Sequence, residues 1–491
     1  MIRIRFDHSY QRDLPDACIA VAPETPPAPA LLYWNAPLAE ELGITLGDTD
    51  DAMVARLFSG AELPEGAEPV AQAYAGHQFG GFSPTLGDGR ALLLGEVLDP
   101  QGRRYDLAFK GSGRTPFSRR GDGKAAVGPM LRELVIGEAM HALGIPTTRA
   151  LAVVATGERI LRERALPGAV LTRVAASHIR VGTFQFFAAH GDHETLQALA
   201  DYTIARHYPE LAGSKTPYLA LLEAACERQA ALIARWMHAG FIHGMMNTDN
   251  MTLSGETIDY GPCAFMDAYD PATVFSSIDR EGRYAYGNQP LIAPWNMARL
   301  AEALLVLMAP DDPASAVPAA TEVIQGFAAC YRRHWLVQAT RKLGLTAERE
   351  GDAGLADDWV ALLAAAHADH TLAWRHLADA AEGDAAPLTA LFADAAQLNA
   401  WLPRWRARLA EEPGSVQDSA ARMRAANPLY IPRNHLVEEA LLAASAHDDL
   451  APLLRLLEVV RAPYTFRPGL DRYALPPVPE LAEGYRTFCG T

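Results

Sequence analysis

The sequence predicts an α+β protein with separate strand-rich and helix-rich regions, and three observations carry that prediction. Residues 71–175 break into short apolar runs punctuated by glycine, such as RALLLGEVL, RYDLAFKG and ALAVVATGERILRE, which read as strands around one helical pattern, PMLRELVIGEAMHALG. From about 195 to 330 helical periodicity takes over, as in LLEAACERQAALIARWMHAG. Beyond 331 the chain is rich in Ala and Leu and stays helical, with breaks at EEPGS and NPLYIPRN. Four zones follow in order. Residues 1–70 are rich in Pro and Ala, with a short helical pattern at APLAEELGI, and are expected to form an N-terminal arm over the body. Then come a strand-rich N-lobe (71–175), a mainly helical C-lobe (176–330) and a C-terminal helical extension (331–491). No internal repeat or long low-complexity tract interrupts them.

Composition bounds the function. With 491 residues, 49% apolar and 21% charged, the chain has ample material for a buried core. Its formal net charge of −16 argues against an electrostatic grip on nucleic acid or an anionic membrane, so neither is expected as a partner. Any polyphosphate ligand must be held by a local basic cluster. The start, MIRIRFDHSYQRDLP, lacks the apolar core of a signal peptide. LIAPWNMARLAEALLVLMAP is interrupted by Arg299 and Glu302 and reads as a buried helix, not a membrane span. Five cysteines without C-x-x-C spacing fit a reducing compartment, and a cytoplasmic location is expected, with neither a zinc site nor a disulfide framework.

The chemistry concentrates in a few stretches. HGMMNTDN at 243–250, followed by DYG from 259, has the layout of a kinase catalytic loop: a helix, a polar loop, then a turn bearing an aspartate. Asn250 and Asp259 offer the hard oxygen donors that Mg2+ takes, with Mn2+ as the alternative ion, although both residue types are also ordinary turn formers. The third position, where a phosphotransferase of this kind has its base, is Met245. FKGSGRTPFSRRGDGK gathers Lys110, Arg114, Arg119, Arg120 and Lys124 among glycines, so backbone N–H groups and cations can face one anion. Lys110 ends a strand pattern and Glu133 lies on the first turns of the next helix, the kinase device for orienting a cation on phosphates. LGDGR at 86–90 reads either as a glycine turn over a nucleotide or as a plain hairpin turn. Arg173 and Arg180 read either as ligands or as ion-pair partners. The order glycine turn, Lys, Glu, Asn, Asp predicts a protein-kinase-like two-lobe fold with a nucleotide-binding N-lobe.

These stretches, together with YAGHQFG at 74–80, LRELVIGEAMHALGIPTTRAL, DYGP and NPLYIPRN, resemble the SelO family, called YdiU in bacteria. The resemblance implies a kinase-fold protein adenylyltransferase that moves AMP from ATP, or UMP from UTP as a variant, to Ser, Thr or Tyr hydroxyls of proteins, itself included, and releases pyrophosphate. By matched motif, Gly87, Gly89, Arg90, Lys110, Asp122, Gly123, Arg173 and Arg180 would contact ATP, and Glu133 would hold Lys110. Asn250 and Asp259 would bind the metal, with Asp259 also facing the nucleotide, and Asp249 would accept the proton. The family is said to bind ATP flipped, so that the α-phosphate faces the acceptor. A base placed for γ-transfer is then unnecessary, and Met245 costs nothing. Two other classes are weighed: a small-molecule phosphotransferase, opposed by Met245, and an inactive nucleotide-binding scaffold, opposed by intact Lys110, Asn250 and Asp259.

Other residues have plainer readings. His77 is expected to fix its loop, HGDH at 190–193 to be an exposed loop, and the tryptophans of WLPRWRARL to pack in the core. Cys489 stands where animal members of the family carry selenocysteine. An oxidation-dependent tether to Cys263 is considered beside a small buried thiol at 263 and an inert tail thiol at 489.

Overall fold

The structure, a computed structural model, describes residues 2–488. Among the described residues thirteen strands form: β1 Phe6–Asp7, β2 Cys18–Ala20, β3 Ala30–Trp34, β4 Val70–Gln72, β5 Gly76–Gln78, β6 Gly81–Ser83, β7 Ala91–Leu98, β8 Arg104–Lys110, β9 Ala125–Ala126, β10 Arg149–Leu161, β11 Ala165–Ala175, β12 Phe241–Ile242 and β13 Ala264–Phe265. Nine of them make one sheet in the order β2-β4-β7-β8-β11-β10-β3, with β1 added to β7 and β9 to β11. Its pairings are all antiparallel. Residues 1–70, expected as an arm, enter this sheet as β1, β2 and β3. Their apolar groups explain why: Leu38, Ile44, Val54 and Phe58 share a buried cluster with Leu94, Leu107, Phe109 and Leu151 of the sheet.

The strand register positions the site. On β8 and β11, Lys110 lies opposite Leu171 and Ala108 opposite Arg173. Because strand side chains alternate faces, Lys110 and Arg173 project from the same face as diagonal neighbours. Helix Val127–Ala142 packs on β10 and β11, bringing Glu133 toward them. Its other side meets the helices Asn434–His447 and Ala451–Val460 of the C-terminal extension. Burial from both sides explains why this helix is apolar almost all round.

The rest is mainly helical. Helix Pro217–Ala239 packs along Gln289–Met308 and Val317–Lys342, and Val181–His190 packs on Gln289–Met308. One apolar segment, Tyr286–Met308, is long and apolar enough to cross a membrane, and it is this packed helix. Trp401 and Trp405 are buried in the helix Ala396–Leu409. The stretch MTLSGETIDYGP forms no strand pair of its own. Thr252 and Thr257 make single bridges to Arg180 and Thr147, and the pairing lies outside the segment, Phe241 with Phe265 and Ile242 with Ala264. Large apolar side chains at 241, 242 and 265 bury there, whereas Thr, Ser and Gly between them favour turns. The pairing closes residues 243–263 into one loop. Near the end of the described chain, Thr487 Oγ1 donates to the Pro262 carbonyl, 2.7 Å away. Cys263 beside it is fully buried, and burial pushes its thiol up to about 12. Cys489 lies outside the described residues.

Candidate functional site

A cleft of about 830 Å3 opens between the sheet and the helical body. Its lining includes Gly87, Gly89, Arg90, Lys110, Asp122, Gly123, Arg173, Arg180, Asp249, Asn250 and Asp259. Of the residues expected to serve ATP, the metal or the acceptor proton, Glu133 is the one absent from this lining, because it sits beneath Lys110. Lys110 Nζ donates to Glu133 Oε2 and to Asp259 Oδ1, each at 2.6 Å. Arg173 Nη1 donates to the same Asp259 Oδ1 at 2.7 Å and lies 3.5 Å from Glu133 Oε1. Two cations and two carboxylates thus form one buried knot. Burial alone would raise the Asp259 pKa, but Lys110, Arg173 and Arg180 outweigh it and hold the carboxyl well below the usual range. Asp259 has φ +62°, a left-handed conformation that Asp tolerates better than most residues and that turns it out of the chain path into the cleft.

Asp259 Oδ2 is 3.9 Å from Arg180 Nη1, beyond hydrogen-bond distance, and so keeps acceptor capacity. Asn250 donates its Nδ2 to the Met245 carbonyl at 2.9 Å, which fixes the amide and leaves its oxygen without a donor among the described residues. One carboxylate oxygen and one amide oxygen, both lining the cleft, are the donor set that Mg2+ or Mn2+ accepts, so these residues fit such an ion. Arg180 is also buried. It donates to the Asp249 and His178 carbonyls at 3.1 Å each and lies over the Tyr74 ring, 4.3 Å from its centroid.

The glycine turns are required by contact. A Cβ on Gly87, at φ +62°, would lie 2.2 Å from the Phe117 ring, and one on Gly123, at φ +69°, would lie 2.0 Å from the Gly113 carbonyl oxygen. Asp122 does not point freely into the cleft. Arg162, from the β10–β11 connection, binds it at 2.7 Å, and Lys124 N caps it at 3.0 Å. Arg90 Nη1 is buried without a partner among the described residues.

Asp249 differs from Asp259. It is 8% exposed; Gln78 Nε2 donates to Oδ2 at 3.3 Å, while Oδ1 is buried with no partner among the described residues. Burial pushes its pKa up to about 6 against the pull of Arg180. Met245 also lines the cleft. Several contributors were not singled out from the sequence. Gln78, Asp88, Phe117, Arg162 and His178 reach the site through contacts distant in sequence. His178 Nε2 accepts from Arg173 Nε at 3.1 Å while its Nδ1–H donates to Asp106 at 2.9 Å, which fixes the tautomer and aims Arg173. His77 does fix its loop: its backbone N–H donates to Thr248 Oγ1 at 2.7 Å.

A buried lysine and arginines under glycine turns, one carboxylate tied to cations and another left open, make a site built for a phosphorylated ligand and a transfer reaction. A family profile described as Protein adenylyltransferase SelO matches residues 1–461. The chain belongs to the SelO family. It is 69% identical over 478 residues to a Protein nucleotidyltransferase YdiU of Chromobacterium violaceum, covering 97% of this chain and 100% of that one. A YdiU of Cereibacter sphaeroides is 61% identical over 488 residues, 99% of each chain, and one of Rhizobium meliloti is 56% identical over 494 residues, the full length of both.

Proposed function

We propose that this protein is a protein adenylyltransferase that transfers AMP from ATP to hydroxyl groups of Ser, Thr or Tyr in other proteins and in itself, and that it works in the cytoplasm on a kinase-like two-lobed frame. Family membership and full-length relatives named protein nucleotidyltransferase support the reaction class. The observation that carries the mechanism is the unpartnered Oδ1 of Asp249, buried in the same cleft as Lys110 and Asp259, while the position of a kinase base is Met245. Arg173 and Arg180 are 3% and 2% exposed, a depth that suits the γ-phosphate of a nucleotide bound with its α-phosphate toward the mouth.

In this reading Lys110, held by Glu133, and the arginines bind the phosphates, and Gly87, Gly89, Arg90 and Gly123 bring backbone and guanidinium groups close to them. Asp122, fixed by Arg162, borders the nucleotide. Asn250 and Asp259 would hold Mg2+ or Mn2+, which supplies charge neutralisation at the phosphates. The acceptor hydroxyl oxygen forms a bond to Pα, the Pα–O bond to the β-phosphate breaks, pyrophosphate leaves, and the hydroxyl proton passes to Asp249 Oδ1. A carboxylate in this role mainly orients the nucleophile, since transfer at phosphorus depends most on positioning and electrostatics.

Incubation with ATP labelled at the α- or the γ-phosphate tests the reading. Label is expected on protein from the α-position only, with pyrophosphate as co-product. Asp249→Ala is expected to slow transfer by about 100-fold or more while changing ATP affinity little. Label arriving from the γ-position, with ADP released, would overturn the reading in favour of a kinase.

A further inference from the structure

The β5–β6 hairpin is bonded residue by residue to the loop that carries Asp249. Gly76 lies so near that a Cβ on it would sit 2.6 Å from Asp249 Oδ1. His77 N donates to Thr248 Oγ1 at 2.7 Å, and Gln78 Nε2 donates to Asp249 Oδ2 at 3.3 Å. Phe79 N donates to Asn247 Oδ1 at 3.2 Å and to the Tyr284 hydroxyl at 3.1 Å. Gln185 ties the two segments from behind: its Oε1 accepts from Thr248 Oγ1 at 2.6 Å and its Nε2 donates to His77 Nδ1 at 2.8 Å. Hairpin and loop therefore form one rigid unit, with Gln78 satisfying one oxygen of Asp249 while the other is buried without a partner among the described residues.

The hairpin tip is apolar where the cleft is polar. Phe79 and Phe82 are 38% and 44% exposed, and Ile278, on another segment lining the cleft, is 50% exposed. Packing on one side does not account for the rings: Phe82 rests on His77 and Phe79 on Tyr284, yet the outer surface of each stays in water. Exposed aromatic groups on a hairpin that borders a polar cleft mark a contact surface. Since Gln78 beside the tip bonds Asp249, and Phe79 lines the same cleft as that carboxylate, what covers the tip lies next to the hydroxyl being modified.

We infer that the β5–β6 hairpin is the acceptor-side wall of the site, with Gln78 a positioning residue that holds the Asp249 carboxylate in place beside the hydroxyl and with Phe79 and Phe82 receiving apolar side chains that flank this hydroxyl in the acceptor protein. The inference rests on the AMP-transfer reading and adds to it where and how the protein acceptor docks.

The full-length protein, α-labelled ATP and dephosphorylated casein, an unfolded protein rich in hydroxyls and apolar residues, provide the test. Phe82→Ser is expected to raise the KM for casein by about tenfold, the size of a lost aromatic contact, with kcat and ATP affinity kept. Gln78→Met, which keeps volume and removes the donor, is expected to lower kcat by roughly 10- to 100-fold with the ATP dissociation constant and casein KM nearly unchanged. Wild-type transfer to casein together with wild-type kcat and KM in both variants overturns this inference and leaves the reaction standing. Losses confined to ATP affinity also overturn it. A wild-type protein that labels neither casein nor itself removes the reaction and the inference together.

Discussion

The protein buries two knots of charge, and they are built to opposite ends. In the cleft, Lys110 and Arg173 converge on Oδ1 of Asp259, while Asp249 Oδ1 and Arg90 Nη1 are buried without partners among the described residues. At the far side, Arg433 is fully buried and spends its guanidinium on protein: Nη1 donates to Asp267 at 2.6 Å and Asp369 at 2.7 Å, and Nη2 donates to Asp369 at 3.2 Å and the Ala474 carbonyl at 2.8 Å. Only its Nε lacks a partner. Asp369 also caps the helix His370–Ala381 by accepting from Leu372 N. The Arg433 knot thus joins the loop after β13, a helix start and the C-terminal segment. Burial of charge is common to both knots, so burial alone does not mark a functional site. What separates them is unfilled hydrogen-bonding capacity facing a cavity.

The sharpest break of this comparison comes from Asp259→Ala. It removes the carboxylate that both cations share and that would hold the metal, so transfer should fall by roughly 1000-fold, the scale of a lost electrostatic group at a reacting phosphate. Thermal unfolding should move little, because Lys110 keeps Glu133 and Arg173 keeps His178. Undiminished transfer in this variant would end the assignment of Asp259.

Arg433→Ala should show the opposite pattern. It leaves Asp267 and Asp369 buried without their cation, a loss of about 3–5 kcal/mol. The melting temperature should drop, and the protein that remains folded should transfer AMP at close to the normal rate. A variant that melts like wild type but is inactive would show that the Arg433 knot acts on the chemistry and would erase the distinction drawn here.

The two knots were not equally legible in the sequence. Lys110, Glu133, Asn250 and Asp259 stand at spacings that local structure fixes, a strand end, a helix turn and a closed loop, so they could be picked out before any coordinates. Arg433 lies in NPLYIPRN, which stood out as a stretch without a role, because its partners are separated from it by 166 and 64 positions. Gln78, His178 and Arg162 were silent for the same reason: each acts through a contact set by sheet register or loop docking, which no periodicity encodes. Residues 1–70 read as an arm since strands of two to five residues leave too short an alternation to detect.

A third buried cation gives the smallest and most specific test. Lys342 has neither kind of compensation: Nζ donates to the His238 carbonyl and lies 4.6 Å from the centroid of the Trp374 ring, and no carboxylate pairs with it among the described residues. Burial therefore pulls it down to about 7 from an ordinary 10.5, with the neighbouring His238 and His370 held neutral by the same burial. Between those two pH values the unfolded chain binds the proton and the folded chain does not, so this group's contribution to stability rises as pH climbs from about 7 toward 10.5. Below about 7 both states are protonated and the whole cost of burying the charge stands. Lys342→Met should accordingly stabilise the fold, by roughly 1–4 kcal/mol at low pH, and the gain should shrink on the alkaline side. Melting temperatures of both proteins at pH 6 and pH 9 decide it, because pH effects common to the two proteins cancel in the difference. An equal difference at both values, or a loss at pH 6, would mean that Lys342 is a satisfied group like Arg433 and not an unpaired charge the fold tolerates.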